Sequence, residues 1–468
     1  MIQYNVRIDP FKMLTLTSLQ GVRQVNEHGM VTFESAVPEN LADEYISLGL
    51  GTTWVDIYAT DIDGSEKLWF KGTITEIHTN SEDGFTTLTV TVKTGSYLMD
   101  TSLHTRSYQT PGMTYNTVLD SYTSSYPQGD FIMKKGDGEP INTLIMQYNE
   151  TDWEFTKRLA THFNTVLLAD CTADGTKYYF GFKPSSPVAT IDTDTFETKK
   201  EAGDYEIKSR AGASLGPLDS IYFAYRTKEI YQLGDQITFN GKPLFVYRID
   251  TELDRVDLFH TYRLKTFEGF NVPKEYNLQC IGTSFYSKIT AVEKDIVQVS
   301  INSDENQSGC GSRWFAYSTP YSTPDGTGWY CMPEIGDDVR LYIPEEDEAN
   351  SYIISSTHLT TGETASDERI NPDFKSIMNK QNKEALFTPG TLIFTNNKGM
   401  SIEIRDDEGI HIISDKEIVI ESDKAIKMAS VDSSITVLSP ELILLEQDDT
   451  ITQLQKNIAF KGAQVHFE

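Results

Sequence analysis

The sequence predicts a mainly-β fold that ends in a β-helix built jointly by three chains. Two observations carry this prediction. An apolar-x-apolar doublet recurs about every eight residues from residue 391 to 468, and short strands of alternating polarity fill most of the chain before it. The expected order is two β-barrels with a small α/β insertion between them, an oligonucleotide/oligosaccharide-binding (OB) type barrel, and an intertwined trimeric β-helix.

Alternating strands predict a first barrel over residues 1–105 and a second barrel over residues 201–286. The strands of the first are expected at 54–58, 68–78 and 86–93. Those of the second are expected at 220–227, 236–239, 244–250 and 258–266. Two barrels in a chain that forms a trimer would place six barrels around a threefold axis.

A different pattern separates the two barrels and predicts an α/β insertion over residues 106–200. Its expected elements are helices at 114–121 and 150–164 and a hairpin that pairs 166–168 with 178–182. Thr151 or Asp152 can cap the second helix. The apolar residues that fall on one face of this helix are Phe155, Leu159 and Phe163.

Residues 287–360 predict a third compact unit. Five short strands fall within about 75 residues, which is typical of a small Greek-key barrel of the OB type. The following residues, 361–390, are polar and predict a linker with a weak helix near 375–383. The β-helix is expected to begin after this linker, at residue 391.

Nine doublets define the predicted β-helix at residues 391–468. Their first members are spaced 8, 8, 8, 9, 7, 9, 7 and 7 residues apart, and the residues between doublets favour turns. Each doublet is interpreted as a short strand with one buried face. The residues expected in the core of the rod are Ile402, Ile404, Ile410, Ile412, Ile418, Ile420, Ile426, Met428, Ile435, Val437, Leu442, Leu444, Ile451, Gln453, Ile458, Phe460, Val465 and Phe467.

A single repeat is too short to enclose a hydrophobic core, because eight extended residues span at most about 26 Å. Either three successive repeats of one chain form each coil, or three chains each contribute one repeat to every layer. We favour three chains. A single chain would build a stub of about three coils with exposed apolar ends, whereas neighbouring chains would pair the open sheet edges.

The composition excludes several classes of function. The 468 residues carry a formal net charge of -29, whereas a nucleic-acid-binding surface needs clustered Lys and Arg. No apolar run approaches the ~20 residues that span a bilayer, and the amino terminus lacks the segments of a signal peptide. We therefore expect synthesis in the cytoplasm without a signal peptide, and no nucleic-acid partner.

Few side chains suggest a chemical site, and spacing suggests no Ser/His/Asp constellation. The acidic run at 345–348 is interpreted as a solvated loop, and Asp152 and Glu154 as helix-start residues. Trp314 and Trp329 are able to stack on a sugar, but aromatic core packing is favoured. The cysteines lack Cys-x-x-Cys spacing and are interpreted as buried or free thiols; they are Cys171, Cys280, Cys310 and Cys331.

His466 is the candidate metal ligand. It lies near the end of the chain, where three symmetry-related imidazoles at the tip of a trimeric rod would be able to hold one metal ion. If Val465 and Phe467 point inward, however, His466 points outward. A surface histidine is therefore the favoured interpretation, and no cofactor is expected to be required.

Three segments resemble the VgrG and phage baseplate spike family. The segments 314–317 (WFAY), 328–339 (GWYCMPEIGDDV) and 352–355 (YIIS) are similar to the family's spike-base barrel, including its proline-x-isoleucine-glycine turn. The segment 147–155 (QYNETDWEF), followed by Arg158, resembles the helix start of the family's hub domain. The doublet repeat resembles the family's carboxy-terminal trimeric β-helix.

This resemblance implies a homotrimeric hub and membrane-puncturing spike of a contractile injection system, such as a phage tail, a tail-like bacteriocin or a type VI secretion system. The two barrels would join the hexameric inner tube, and the rod would pierce the target cell envelope when the sheath contracts. Baseplate wedge proteins and a tip-capping protein are further implied partners. Some spike tips of the family hold a metal with a His-x-His pair, but position 464 here is Gln464.

The resemblance also bears on catalysis. Some phage spikes hold a lysozyme between the small barrel and the rod, but this chain has no domain-sized insertion there, and so we expect no enzymatic activity. The main alternative is a trimeric phage tailspike that degrades a surface glycan. Such enzymes carry a longer solenoid with an acidic cleft, for which the thin rod leaves no room. A passive adhesin is a third possibility.

Overall fold

A computed structural model describes residues 6–11, 14–60, 65–83, 85–200, 218–306, 312–358 and 371–454, together with residues 203, 205, 206, 208 and 216. The chain divides into two compact units, residues 1–359 and residues 360–468. The fold is mainly β, which confirms the predicted class.

Six strands form the first part of a large sheet, and one helix lies among them in chain order. The strands are β1 (Val6–Asp9), β2 (Thr15–Gln24), β3 (Met30–Val37), β4 (Trp54–Thr60), β5 (Glu66–Glu82) and β6 (Phe85–Lys93), and helix α1 covers Glu39–Ile46. In β3 every second residue is buried, including Val31 and Phe33. This alternation places the apolar side chains on one face, where they form a core with Trp69 and Phe70.

The α/β insertion follows, and it contains the predicted helices and hairpin. Its elements are β7 (His104–Tyr108), α2 (Tyr115–Thr123), β8 (Asp130–Met133), β9 (Ile145–Glu150), α3 (Asp152–Thr161), β10 (Leu167–Ala169) and β11 (Lys177–Phe180). Thr151 accepts a hydrogen bond from the Glu154 N–H, and the Glu154 carboxylate accepts one from the Thr151 N–H. This capping box begins α3 at the predicted place. Phe155 and Leu159 pack into the core of the insertion.

Six further strands continue the first sheet. They are β12 (Ala189–Ile191), β13 (Glu197–Lys200), β14 (Ile221–Thr227), β15 (Gln236–Phe239), β16 (Lys242–Asp254) and β17 (Asp257–Lys265). The 12-stranded sheet has the order β1-β4-β5-β6-β3-β2-β16-β17-β14-β13, with β15 paired to β16 and β12 to β15. The strands that were predicted in two barrels thus share one sheet, which is joined by the β2–β16 pair. This pair covers a sheet edge that would otherwise be open. The strands nevertheless enclose two separate cores.

Five strands form a third compact element, here called the small barrel. They are β18 (Ser284–Glu293), β19 (Ile296–Ile301), β20 (Phe315–Ala316), β21 (Asp338–Tyr342) and β22 (Tyr352–Ile354). Their order is β20-β19-β18-β21-β22, and a parallel bridge between Tyr317 and Ile353 joins the two edges, so that the sheet nearly closes. Leu144 and Met146 of the insertion belong to its core. The small barrel is therefore packed directly onto the insertion.

The second compact unit contains a five-stranded antiparallel meander and a separate hairpin. The meander consists of β23 (Lys375–Met378), β24 (Glu384–Thr388), β25 (Thr391–Thr395), β26 (Ser401–Arg405) and β27 (Gly409–Ile413). The hairpin consists of β28 (Ile443–Gln447) and β29 (Thr450–Leu454).

The predicted linker at 361–390 is wrong over its described residues, and so is the weak helix near 375–383. Strands β23 and β24 occupy this segment and extend the meander that was expected to begin at residue 391. A turn at Asn382, whose φ is 58°, aligns Ile377 with Ala385. Pairing with β25 outweighs the helix propensity of this short lysine-containing stretch.

Candidate functional site

The predicted doublets of the meander share one face of its sheet. Ile402 lies opposite Ile412, Ile404 lies opposite Ile410, and Phe394 continues the row on the next strand. Residues directly opposite each other in a sheet lie on the same face. These five side chains are called the apolar face below.

The apolar face is open to solvent in the single chain. The four isoleucines of this face are between 44% and 71% exposed. Each would contribute roughly 1.5–3 kcal/mol if it were fully buried. A contiguous apolar surface of this kind is typical of an interaction site.

The next doublets lie in a stretch that forms no strand with the rest of its own chain. Within the described residues 415–442 every residue is exposed and no strand forms. The doublet members in this stretch are Ile418, Ile420, Ile426, Met428, Ile435, Val437 and Leu442. Leu444 and Ile451 of the following hairpin are exposed as well, and Leu444 lies opposite Gln453. Alternate apolar side chains in this stretch therefore have no interior of their own chain to enter.

The opposite face of the meander carries charged side chains on β26 and β27, together with the apolar residues Leu386, Ile393 and Ile413. His411 lies opposite Glu403, whereas its neighbours Ile410 and Ile412 lie on the apolar face, as the alternation predicts. Arg405 donates hydrogen bonds to the carboxylates of Glu403 and Glu408. The charged groups of β26 and β27 therefore lie on the face opposite to the apolar face.

Some predicted site residues lie outside the described part of the chain. They are Ile458, Phe460, Val465, Phe467 and the candidate metal ligand His466. Within the described ranges, no group of three or more His, Cys, Asp or Glu side chains is arranged to hold a metal ion.

A buried ion cluster joins the insertion to the small barrel. The Arg158 guanidinium of α3 donates two hydrogen bonds of 2.8 Å to the Glu150 carboxylate and lies 3.3 Å from the Glu348 carboxylate. It also donates a 2.6 Å hydrogen bond to the Met146 carbonyl. Burial alone would lower the pKa of Arg158, but the two carboxylates raise it above its ordinary value. The arginine therefore keeps its charge in the interior.

The prediction that residues 345–348 form a solvated loop is wrong for Glu348, which is 5% exposed. Burial raises the pKa of Glu348, and the charge of Arg158 offsets this only in part. Glu348 and Arg158 are 190 residues apart, and no local pattern links them. The sequence of an acidic run does not show that one of its residues is buried when the partner of that residue lies so far away along the chain.

A second set of polar contacts supports the same junction. The Asp304 carboxylate, which follows β19, accepts hydrogen bonds from the Ser107 N–H and hydroxyl. The neighbouring Glu305 carboxylate accepts from the Thr105 N–H at 2.8 Å and lies 2.8 Å from Nδ1 of His104. Strand β7 and the small barrel are therefore held together by several charge-assisted bonds.

No family model and no curated protein sequence matches the chain, but solved structures share its architecture. The E. coli c3393 protein is described as a type VI secretion component similar to the T4 bacteriophage tail proteins gp27 and gp5. It superposes with a TM-score of 0.53 at 11% identity, over 74% of this chain and 98% of its own. The half-lidded Francisella PdpA–VgrG complex superposes with a TM-score of 0.53 at 11% identity, over 87% of both chains.

The chain has the VgrG-type fold, and the part of the chain that carries this fold is called the hub below. The lidded form of the Francisella complex has the same fold. It superposes with a TM-score of 0.52 at 12% identity, over 87% of this chain and 80% of its own. In this hub, the two-core sheet and the insertion precede the small barrel in chain order. Among the described residues, no helix is long and apolar enough to cross a bilayer.

The hub brings together a serine, a histidine and an aspartate that spacing did not predict. Nδ1 of His28 lies 2.9 Å from the Ser96 hydroxyl, and Nε2 lies 3.0 Å from the Asp100 carboxylate. Ser96 is completely buried, however, and its hydroxyl also lies 3.0 Å from that of Thr94. A nucleophile has to reach its substrate, and so this chain of hydrogen bonds orders the interior of the hub rather than forming an accessible triad.

The predictions for the tryptophans and the cysteines have different outcomes. Core packing is wrong for Trp314 and Trp329, which are both exposed on the small barrel. Cys171 and Cys280 are buried free thiols, as interpreted, and burial raises the pKa of each to about 12. Cys331 is an exposed free thiol. Cys310 lies outside the described residues.

Acidification is expected to destabilise the hub through His162. Burial, together with the positive charges of Arg158 and Lys274, lowers the pKa of His162 from 6.5 to about 3, and Nδ1 of this imidazole lies 2.8 Å from the Tyr115 hydroxyl. Between these two pH values the unfolded chain binds a proton that the folded chain does not bind. The unfolded state is therefore favoured as the pH falls through this window.

Thermal unfolding of the His162→Gln variant at several pH values measures this contribution. The melting temperature of the variant should fall less on acidification from about pH 7 to about pH 4 than that of the unmodified protein. His78→Gln, at an exposed position of β5, serves as the control. Parallel curves for His162→Gln and the unmodified protein would refute the assignment.

Proposed function

We propose that the chain is the homotrimeric central hub and membrane-puncturing spike of a contractile injection system, such as a phage tail, a tail-like bacteriocin or a type VI-like apparatus. The carrying observation is the order of elements in one chain. A VgrG-type hub fold is followed by doublets whose apolar side chains the single chain leaves exposed. The hub joins the hexameric inner tube to the tip, and the rod pierces the target envelope on sheath contraction.

Three chains supply the interior that one chain lacks. If each chain contributes one doublet to a layer, six apolar side chains meet there and contribute on the order of 10 kcal/mol before conformational entropy is subtracted. Neighbouring chains also provide hydrogen-bond partners for the backbone at 415–442. The resulting rod is narrow and stiff, and stiffness is what the transmission of an axial load requires.

The junction between the insertion and the small barrel supports a mechanical role. Leu144 and Met146 enter the core of the small barrel, and Arg158 binds Glu348 in the same region. A loose connection would absorb displacement between the two elements. A connection with a shared core and a buried ion cluster transmits it instead.

The mass of the full-length protein in solution tests the trimer. The expected value is three times the chain mass of 52.8 kDa. A monomer that also stays monomeric in assembled particles, as imaged by electron microscopy, would contradict the proposal. Incubation with host polysaccharide and peptidoglycan tests the absence of enzymatic activity, because a glycan-degrading tailspike would release fragments. No specific observation on the described residues favours that alternative.

The proposed partners are the hexameric tube protein, baseplate wedge proteins, a tip-capping protein and the target cell envelope. Genes for sheath and tube proteins beside the gene for this chain identify the tube protein to be tested. Co-purification of that tube protein with the trimer supports the proposal, and its failure to bind in assembled particles contradicts it. Metal analysis of the trimer against a His466→Ala variant distinguishes the favoured surface histidine from a metal ligand at the tip.

The Gln453→Leu substitution is expected to leave the rod intact or to stabilise it. Gln453 occupies a doublet position opposite Leu444, and three glutamines in a trimeric core would have to satisfy one another or hold a buried water. An apolar residue of similar volume removes that requirement. Thermal unfolding of the trimer checks the prediction, and a clear fall in melting temperature would contradict an inward glutamine.

A further inference from the structure

A loop of the small barrel presents exposed aromatic rings beside a cavity. The loop runs from β20 to β21. Its residues Trp329 and Tyr330 line the cavity and are 61% and 75% exposed, and Tyr321 of the same loop is 51% exposed. The cavity has a volume of about 290 Å³ and is lined by loop residues and by Lys294 and Asp295 of the β18–β19 turn. None of these residues takes part in the junction described above.

The loop is built to hold these rings in place. The backbone N–H of Trp329 donates a 2.9 Å hydrogen bond to the Tyr321 carbonyl. The Tyr330 hydroxyl donates one of 2.9 Å to the Lys294 carbonyl. Gly328 has a φ of 142°, and a Cβ there would lie 2.3 Å from the Tyr321 carbonyl oxygen. The close approach therefore requires glycine. Rings that are already positioned lose little conformational entropy when a ligand binds.

The cavity also carries polar groups that the fold does not use. Among the described residues, no hydrogen bond or ion pair engages the Lys294 ammonium, the Asp295 carboxylate or the Trp329 indole N–H. The backbone carbonyls of Lys294 and Asp295 are occupied, so the loop is anchored while both side chains stay available. Flat aromatic surfaces thus stand beside one cation, one carboxylate and one neutral donor.

We propose that this cavity binds an oligosaccharide of N-acetylated pyranose rings. The C–H face of a pyranose stacks on an aromatic ring, and its hydroxyls need donors and acceptors at the edge of that ring. An acetamido group supplies an N–H for the Asp295 carboxylate, a carbonyl for the Lys294 ammonium, and a methyl group for a tyrosine ring. All three complements are present at the cavity.

The pattern of charge distinguishes this ligand from a subunit contact. The centres of protein interfaces are depleted of charged residues, because burying an unpaired ammonium or carboxylate is costly. Here Lys294 and Asp295 lie beside the rings, and neither side chain has a partner within the part of the chain that the structure describes. A saccharide leaves such groups partly hydrated and hydrogen-bonded. The inference does not depend on the proposed spike function, because binding is measurable whatever the oligomeric state.

Titration of the full-length protein with tri-N-acetylchitotriose, followed by calorimetry and tryptophan fluorescence, tests the proposal. The unmodified protein should bind, and Trp329→Ala should weaken binding by at least about tenfold. Trp314→Ala is the matched control, because Trp314 is exposed on the same barrel but does not line the cavity. Cellotriose has the same linkage without acetamido groups and should bind about tenfold more weakly.

Several results would overturn the assignment. They are an absence of chitotriose binding to the unmodified protein, equal weakening by Trp314→Ala, and equal affinity for the two trisaccharides. Asp295→Asn provides a second variant that leaves the aromatic rings in place, and it should also weaken chitotriose. If Trp329→Ala instead changes the mass of the protein in solution and leaves chitotriose binding unaltered, the aromatic cluster is a subunit interface and the proposal fails.

Discussion

Ile420→Asp is expected to prevent assembly of the trimeric rod, whereas Val419→Asp is expected to leave it intact. The two positions are 68% and 64% exposed in the single chain, so the fold of one chain gives no reason for a difference. The doublet pattern does, because Ile420 is a doublet member and Val419 lies between two members. In a three-chain layer, Ile420→Asp would bury three carboxylates without partners.

The expected cost is large. Burying an ionised carboxylate without a partner costs several kcal/mol, and three copies in one layer also repel one another. Solution mass and protease resistance of the two variants are the measurements. Loss of the trimer in Ile420→Asp and its retention in Val419→Asp support the proposed arrangement. Equal behaviour of the two variants would refute the assignment of inward positions, even if the protein is trimeric.

Arg158→Ala is expected to destabilise the hub by about 3–5 kcal/mol, which is the range for breaking a buried ion pair from one side. The substitution leaves the carboxylates of Glu150 and Glu348 buried without their cation. It also removes the donor to the Met146 carbonyl. The loss therefore affects the packing of the small barrel on the insertion as well as helix α3.

Arg226→Ala is the matched control for this prediction. Arg226 also pairs with two acidic residues, Glu252 at 3.0 Å and Asp254 at 3.2 Å, but its side chain is 41% exposed. Exposed pairs of this kind contribute roughly 0–1 kcal/mol. Denaturant unfolding of the hub measures the free energy of unfolding of each variant. The loss should be clearly larger for Arg158→Ala than for Arg226→Ala. Similar losses of stability in the two variants would show that burial does not make the Arg158 cluster more stabilising than an exposed ion pair.

Much of the secondary structure was predictable because its signals are local. Helix α3 begins where Thr151 and Glu154 form a capping box, and the strands of the first barrel follow an alternation of period two. The doublets of the meander lie on one face for the same reason. Failures occurred where local preference is weak, as at β23 and β24, where pairing with β25 decides the conformation.

The sequence by itself determined which residues alternate, where a helix begins, and that one eight-residue repeat is too short to enclose a hydrophobic core. The tertiary structure decided that β2 and β16 join two predicted barrels into one sheet, that Glu348 is buried against Arg158, and that Trp329 stays exposed. The physical reason is distance along the chain. Periodicity and capping act within a few residues, whereas sheet edges and buried charges find partners about two hundred residues away, and no short pattern specifies them.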